Sequence, residues 1–325
     1  MRKLVATLGF AVLAAVAASL PALAQDWPNK PIRLIVPFPP GAGADISARI
    51  VAEALGPRLG QPVVVENRAG AGGAVGMDYV AKAPADGYTI GWPSADPMTM
   101  LPAVKPTLAY KVPEDFSYIA KFVETGLSFV ISSNVPAKTM AEFVAYAKAN
   151  PGKLRYGTSG VGGASHLATL LFERHAGVKM NHIPYKGVAP ALTDLLGGHV
   201  DMVFITPATI SPQAGNEKLR ILAVTSPARH PKLPNVPTMN EVNLPGVGFA
   251  SWYGIVGQAA LPAAIQDRLL KESRAIIAMT AVKEKMETTA LQVNPAFGKD
   301  FEQIILKEIA GFKALADAEK IVITE

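Results

Sequence analysis

Two stretches bring together residue types that can hold an anion: 37–44, Pro-Phe-Pro-Pro-Gly-Ala-Gly-Ala, and 157–163, Gly-Thr-Ser-Gly-Val-Gly-Gly. Each is rich in small residues, follows an apolar run and precedes a helical pattern. Backbone N–H groups at such a turn lack acceptors inside the helix, and together with the positive end of the helix dipole they favour a negative charge. Facing each other across a cleft, two such turns would clamp a small carboxylate. Hydrogen bonds to charged groups contribute about 1.5–3 kcal/mol each, and micromolar affinity needs about 8 kcal/mol. Roughly four to six donors meet that figure even after the cost of closing two domains.

Further polar candidates stand at the ends of expected strands: Ser94, Thr158, Ser159 and Thr206. Ligands of open α/β sheets bind outside those carboxyl ends. His166, beside the second stretch, is a candidate donor, and Asp201 either holds a loop or accepts from a ligand or water. Phe38, Trp92, Tyr185 and Phe204 are aromatic side chains for the cleft wall or for the core.

Other chemistries fail on spacing. Residues 70–76, Gly-Ala-Gly-Gly-Ala-Val-Gly, do not match the dinucleotide pattern, and no glycine-rich loop ends in Gly-Lys-Ser/Thr. Residues 157–160 and 163–166 both miss the nucleophile elbow. The five histidines, at 166, 175, 182, 199 and 230, show no metal-ligand spacing, so no metal and no cofactor is expected. With no cysteine, thiolate metal sites, disulfides, a cysteine nucleophile and a lipid-carrying N-terminal cysteine are excluded together.

The elements that must position these residues alternate along the chain, which predicts α/β domains with mainly parallel sheets. Residues 31–36 read as a strand; Asp45 then reads as the N-cap of a helix whose apolar face is Ile46, Ile50, Val51 and Leu55. A second unit follows, with a strand at 62–66, a loop at 67–74 and a helix ending at Pro84. A strand at 88–91 leads into the loop 92–97. After a less regular region come a helix at 140–149, a strand at 154–156 and a helix at 165–175. A helix at 189–196, strands at 200–205 and 220–225, and a proline-punctuated connection complete the middle of the chain. A strand at 251–257 and a helix opened by Pro262 in its first turn follow.

Length and charge agree with this plan. A chain of 325 residues, half of them hydrophobic, exceeds what one core usually organises. Arg2 and Lys3, the apolar run 4–20, Pro21 and the small-residue pattern Ala22-Leu23-Ala24 read as a secretory leader cleaved before Gln25. Removing 1–24 takes away two basic and no acidic residues, so 31 against 26 becomes 29 against 26, a net +3. No dense Lys/Arg stripe remains, which argues against a nucleic-acid partner.

Several stretches, in order through most of the mature chain, resemble the Bug-type substrate-binding proteins of tripartite tricarboxylate transporters. They are Trp-Pro-Asn-Lys-Pro-Ile-Arg-Leu-Ile-Val-Pro-Phe-Pro-Pro-Gly from Trp27, Gly-Gln-Pro-Val-Val-Val-Glu-Asn-Arg from Gly60, Asp86-Gly-Tyr-Thr and Pro184-Tyr-Lys-Gly. Leu-Leu-Gly-Gly-His-Val-Asp ending at Asp201, Leu-Ala-Val-Thr-Ser ending at Ser226 and Val236-Pro-Thr complete the set. The resemblance implies an α/β, two-domain periplasmic binding protein of type II, a "Venus flytrap" with its ligand cleft between domains. The expected division is a signal peptide at 1–24, one domain from 25–124 plus 244–325, and a second from 125–243.

It further implies a receptor rather than an enzyme, monomeric and periplasmic, handing a small carboxylate (di-, tricarboxylate or aromatic) to a two-component membrane permease. The family's carboxylate-holding loops fall on Phe38, Pro39, Gly41, Ala42, Gly43, Ala44 and Asp45, and on Thr158, Ser159 and Gly160. Ser94, His166, Asp201, Phe204 and Thr206 complete the candidate ligand-binding set. One departure is visible: family members often carry Gly-Gly-Gly-Thr-Asp in the first loop, whereas this chain has Gly-Ala-Gly-Ala-Asp, with no hydroxyl at 44. A sensory receptor for a membrane signalling partner, and a secreted enzyme working in the same cleft, are the alternatives.

Overall fold

A computed structural model of the chain describes residues 27–248 and 250–318, so the expected leader lies outside the described residues. Among them, no helix is long and apolar enough to cross a membrane. Two mixed sheets organise the chain, and both use the same device.

In the first sheet, β1 (Ile32–Val36) is bounded by Pro31 and Pro37, which cannot donate to a ladder. It pairs in parallel with β2 (Val63–Asn67) and β3 (Thr89–Gly91), the crossovers being α1 (Gly43–Leu59) and α2 (Ala74–Ala81). The rest of this sheet is antiparallel: β4 (Phe116–Gly126) pairs with β10 (Ala250–Gln258), which reaches β3, and with β11 (Gln292–Phe297). In the second sheet, β6 (Arg155–Thr158) runs parallel to β7 (Asn181–Pro184) and β8 (Met202–Ile205). Its crossovers are α4 (Ala164–Ala176) and α5 (Val188–Leu196), and β5 (Ser128–Ser132) lies antiparallel between β8 and β9 (Leu219–Val224).

The sheets are therefore mixed rather than mainly parallel. The antiparallel share comes from β10, expected as a strand but not in that direction, and from β4, β5 and β11, for which the apolar pattern predicts no strand. In β4 the run is broken by Ser117, Lys121, Glu124 and Thr125, yet all but Glu124 are buried. Lys121 is tolerated there because Glu124 pairs with it. Elsewhere the helix Met140–Ala149 (α3) matches its sequence bounds, while Pro262 is the N-cap of α6 (Ala263–Ala278) rather than its first residue.

The chain passes from one sheet to the other directly at Leu127, between β4 and β5, and returns between β9 and β10. The two crossings are tied together. The Thr225 N–H donates to the Leu127 carbonyl at 2.8 Å, and the Leu127 N–H donates to Thr225 Oγ1 at 2.8 Å. Buried apolar packing runs from Ile35 of β1 and Met77 of α2 to Phe129 of β5, Phe172 of α4 and Phe204 of β8, with Phe129 meeting the other two rings at 4.8 and 5.1 Å.

Candidate functional site

The N-termini of α1 and α4 end on one cavity between the two sheets. Phe38, Ala42, Gly43 and Ala44 line it from the first loop, Ser94 and Asp96 from the chain after β3, and Ser251 and Tyr253 from β10. The second sheet contributes Ser159, Ala164, Ser165, Val188 and Thr206, and Leu127 stands at the crossing. The cavity is partly open and its volume is about 40 Å³, room for a few waters. Pockets that enclose small ligands run to about 300–1,000 Å³, so admitting a ligand requires the sheets to part.

Each helix N-terminus receives a polar group from the opposite sheet. At α1, the Gly43 N–H donates to Thr209 Oγ1 at 3.0 Å, and Thr209 also bonds Thr206 Oγ1 at 2.9 Å. At α4, the Ala164 N–H donates to Asp96 Oδ2 at 3.0 Å. Ser159 Oγ approaches the same oxygen at 3.4 Å, and Ser94 Oγ donates to Asp96 Oδ1 at 3.2 Å. Burial pushes the Asp96 carboxyl up from the ordinary aspartate range, against the opposing pull of these donors. Burial and the Asp96 charge likewise raise Tyr253 above the usual tyrosine range.

Glycine is required where the halves meet. A methyl group at Gly43 would stand 2.9 Å from Thr206 Oγ1 and 3.2 Å from Tyr253 Oη. Gly160 has φ +133°, and a methyl there would stand 2.8 Å from the Gly72 nitrogen on the other side of the seam.

Of the residues expected at the site, Phe38, Ala42, Gly43, Ala44, Ser94, Ser159 and Thr206 line the cavity. Asp45 does not, nor is it the N-cap: that position is Ala42, and no side chain caps it. Asp45 lies one residue past Ala44, inside the first turn, and its carboxylate clasps the loop from behind. It accepts from the Gly41 N–H at 3.0 Å, from Arg49 at 2.9 and 3.0 Å and from Asn67 Nδ2 at 2.9 Å. Asn67 also donates to the Phe38 carbonyl at 3.0 Å. Burial acts to raise the Asp45 carboxyl, but the bonds from Arg49, Gly41 and Asn67 outweigh it and hold the group below its ordinary range. Pro39 and Gly41 belong to the clasped loop without lining the cavity.

The second loop rests on rings. His166 points away from the cavity, and its Nδ1 accepts from the Gly162 N–H at 3.0 Å, so the neutral ring carries its proton on Nε2. It stacks on His182 at 4.2 Å, which stacks on Tyr156 at 4.9 Å. Thr158 Oγ1 meets His182 Nε2 at 2.6 Å and the Gly160 N–H at 3.3 Å. Thr158, Gly160 and His166 thus shape the loop rather than face the cavity. Burial, and for His166 also the neighbouring His182, lowers both imidazoles to about 4.

Asp201 belongs elsewhere: it precedes β8, at the end away from the cavity, where its carboxylate accepts from the Arg155 backbone N–H at 2.7 Å and its guanidinium at 3.2 Å. Phe204 is fully buried against Phe129, Trp92 packs on Phe122 and bonds Ser47 Oγ at 3.0 Å, and the Tyr185 hydroxyl donates to Asp194 at 2.6 Å. These are structural placements. Asp96, Leu127, Ala164, Ser165, Val188, Ser251 and Tyr253 line the cavity outside the expected set, and Asp96 and Tyr253 are the titratable ones among them. The only signal for Asp96 is an acidic residue among small and apolar ones just after a strand end. Tyr253 lies mid-strand and carries none.

Comparison with known proteins places this geometry. A family model described as the tripartite tricarboxylate transporter family receptor, TctC, matches residues 47–321. The chain is 38% identical to Protein BugT of Bordetella pertussis over 258 residues, 79% of this chain and 78% of that one. Among solved structures it is similar to the periplasmic binding protein BugD, with a TM-score of 0.87 and 32% identity over 91% of this chain and 99% of that one. It is equally similar to Rpa4515 of R. palustris with adipate, with a TM-score of 0.87 and 31% identity over the same shares. This is a family of solute-binding receptors rather than enzymes, built on a two-domain fold. The chain belongs to the TctC receptor family of the tripartite tricarboxylate transporters, the family that includes the Bug proteins.

Proposed function

We propose that the chain is an exported, periplasmic solute receptor that captures a small carboxylate between two lobes and delivers it to a two-component membrane permease. The carrying observation is the convergence of the α1 and α4 N-termini on one buried cavity with no basic side chain in its lining. A carboxylate there is held by backbone amides and hydroxyls at the α1 N-terminus, whose positive end favours it. The adipate in Rpa4515 supports the same ligand class here. The lobes are 25–124 with 244–325, and 125–243. They hinge on the Leu127–Thr225 pair, work as a monomer, and leave the ligand chemically unchanged.

Isothermal titration of the protein lacking residues 1–24 with mono-, di- and tricarboxylates, aromatic ones included, tests the reading. A micromolar response from at least one of them is expected. Silence across the panel from folded protein would sink it.

A further inference from the structure

We infer that Asp96 sets the ligand class of this cavity: a carboxylate whose far end carries an ammonium group, rather than a dicarboxylate. The inference rests on the reading of the cavity as a carboxylate site.

The two helix N-termini are not equivalent. At α1 the cross-lobe partner is the neutral Thr209 hydroxyl, and the next amides, of Ala44 and Asp45, have no acceptor within the helix. That end remains attractive to an anion. At α4 the position where a second ligand carboxylate would sit is taken by the protein's own carboxylate, Asp96, on the Ala164 N–H. Asp96 is only 6% exposed, lines the cavity, and is held by neutral donors alone: the Ala164 and Asp96 amides and the Ser94 and Ser159 hydroxyls. No cation lines the cavity, and the other titratable group there is Tyr253.

A second ligand carboxylate facing Asp96 in this buried place is either repelled or makes Asp96, already raised by burial, take up a proton. An ammonium group in the same place forms charge-assisted hydrogen bonds to Asp96 and supplies the missing countercharge. The preferred ligand lies with its carboxylate on the α1 amides and its ammonium toward Asp96.

Isothermal titration at pH 7 with matched pairs tests this: succinate against 3-aminopropanoate, glutarate against 4-aminobutanoate, adipate against 5-aminopentanoate. In the wild-type protein the amino member of the best-bound pair should bind at least tenfold more tightly. In Asp96→Asn, which keeps the shape and removes the charge, that ratio should fall below threefold or reverse. Tighter binding of the dicarboxylates by wild type, or a preference unchanged in Asp96→Asn, overturns the assignment to Asp96 while leaving the carboxylate reading standing. Binding of neither member of any pair by folded wild-type protein overturns the assignment to Asp96, and the carboxylate reading falls with it only if the tricarboxylates and aromatic carboxylates are silent too. The wild-type ratios decide the question if the variant does not fold.

Discussion

The loops before α1 and α4 look alike in sequence and behave differently in the fold. Both are glycine-rich, both follow a parallel strand, and both deliver a helix N-terminus to the same cavity. The first is clasped from behind by a charged group, Asp45 with Arg49 and Asn67, and meets a neutral hydroxyl across the seam. The second is backed by neutral rings, His166 and His182, and meets a charged group across the seam, Asp96. A helix N-terminus is thus an anion site only to the extent that the surrounding fold leaves it one. Here the charge pattern of the two is inverted.

The largest expected effect is at the seam itself. Gly160→Ala places a methyl 2.8 Å from the Gly72 nitrogen at a φ of +133° that side chains rarely adopt. Opening relieves the clash but not the backbone strain, which costs on the order of 1–3 kcal/mol. Ligand affinity should fall more than tenfold by titration calorimetry, and small-angle scattering with ligand should report an open particle. Wild-type affinity in the variant would show that the halves do not need this close approach.

Acid should separate the loops next. His166 and His182 titrate near 4 in the folded protein, below the ordinary 6.5. As pH falls through 6.5 the unfolded chain takes up protons that the folded one refuses until about 4, so stability drops across that window. Asp45 is also lowered, but for an acid the consequence is opposite: its stabilisation is full above the ordinary aspartate value and is lost only as pH falls below it. Once corrected for the intrinsic slowing of exchange in acid, hydrogen exchange between pH 7 and 4.5 should therefore accelerate at Gly162 and stay nearly constant at Gly41. The melting temperature should fall by several degrees, less so in His166→Gln/His182→Gln. Equal acceleration at both glycines would remove the distinction.

What sequence could carry of this was uneven, for physical reasons. Strands bounded by proline and helices with an apolar face, such as Ile32–Val36 and Met140–Ala149, are written in local pattern. β4 is not, because its buried Lys121, paired with Glu124, is covered by neighbouring strands that come from far along the chain, outside any short window. At the site, backbone chemistry was legible in the glycines. The roles of Asp45, Asp96 and His166 were not, because which way each side chain turns is decided by partners such as Asn67, Ala164 and Gly162. Asp96 reaches its partner Ala164 from 68 residues away in the chain.

Thr209→Val should have a moderate effect. It removes the acceptor of the buried Gly43 N–H, and an unsatisfied buried amide costs about 1–3 kcal/mol. Because the bond crosses the seam, an open form can hydrate the amide and avoid much of this. The loss should therefore be larger in ligand affinity than in the melting temperature of the free protein. A loss confined to melting temperature would place Thr209 in the fold of its own half rather than in closure.

The smallest change is expected from Asp45→Ala. It deletes the acceptor for Gly41, Arg49 and Asn67 together, yet Arg49 is more than half exposed and regains water. What remains is the partly buried Gly41 bond and the favourable position of an acid in the first turn of a helix, together about 0.5–2 kcal/mol. The variant should melt a few degrees lower by circular dichroism and bind severalfold more weakly, since the loop bearing Phe38 and Ala42 loses its rear anchor. The loss should shrink as the pH falls below the ordinary aspartate range and the wild-type carboxylate is itself progressively protonated. If the deficit persists there unchanged, the clasp is steric rather than electrostatic, and the inverted charge pattern of the two loops rests on Asp96 alone.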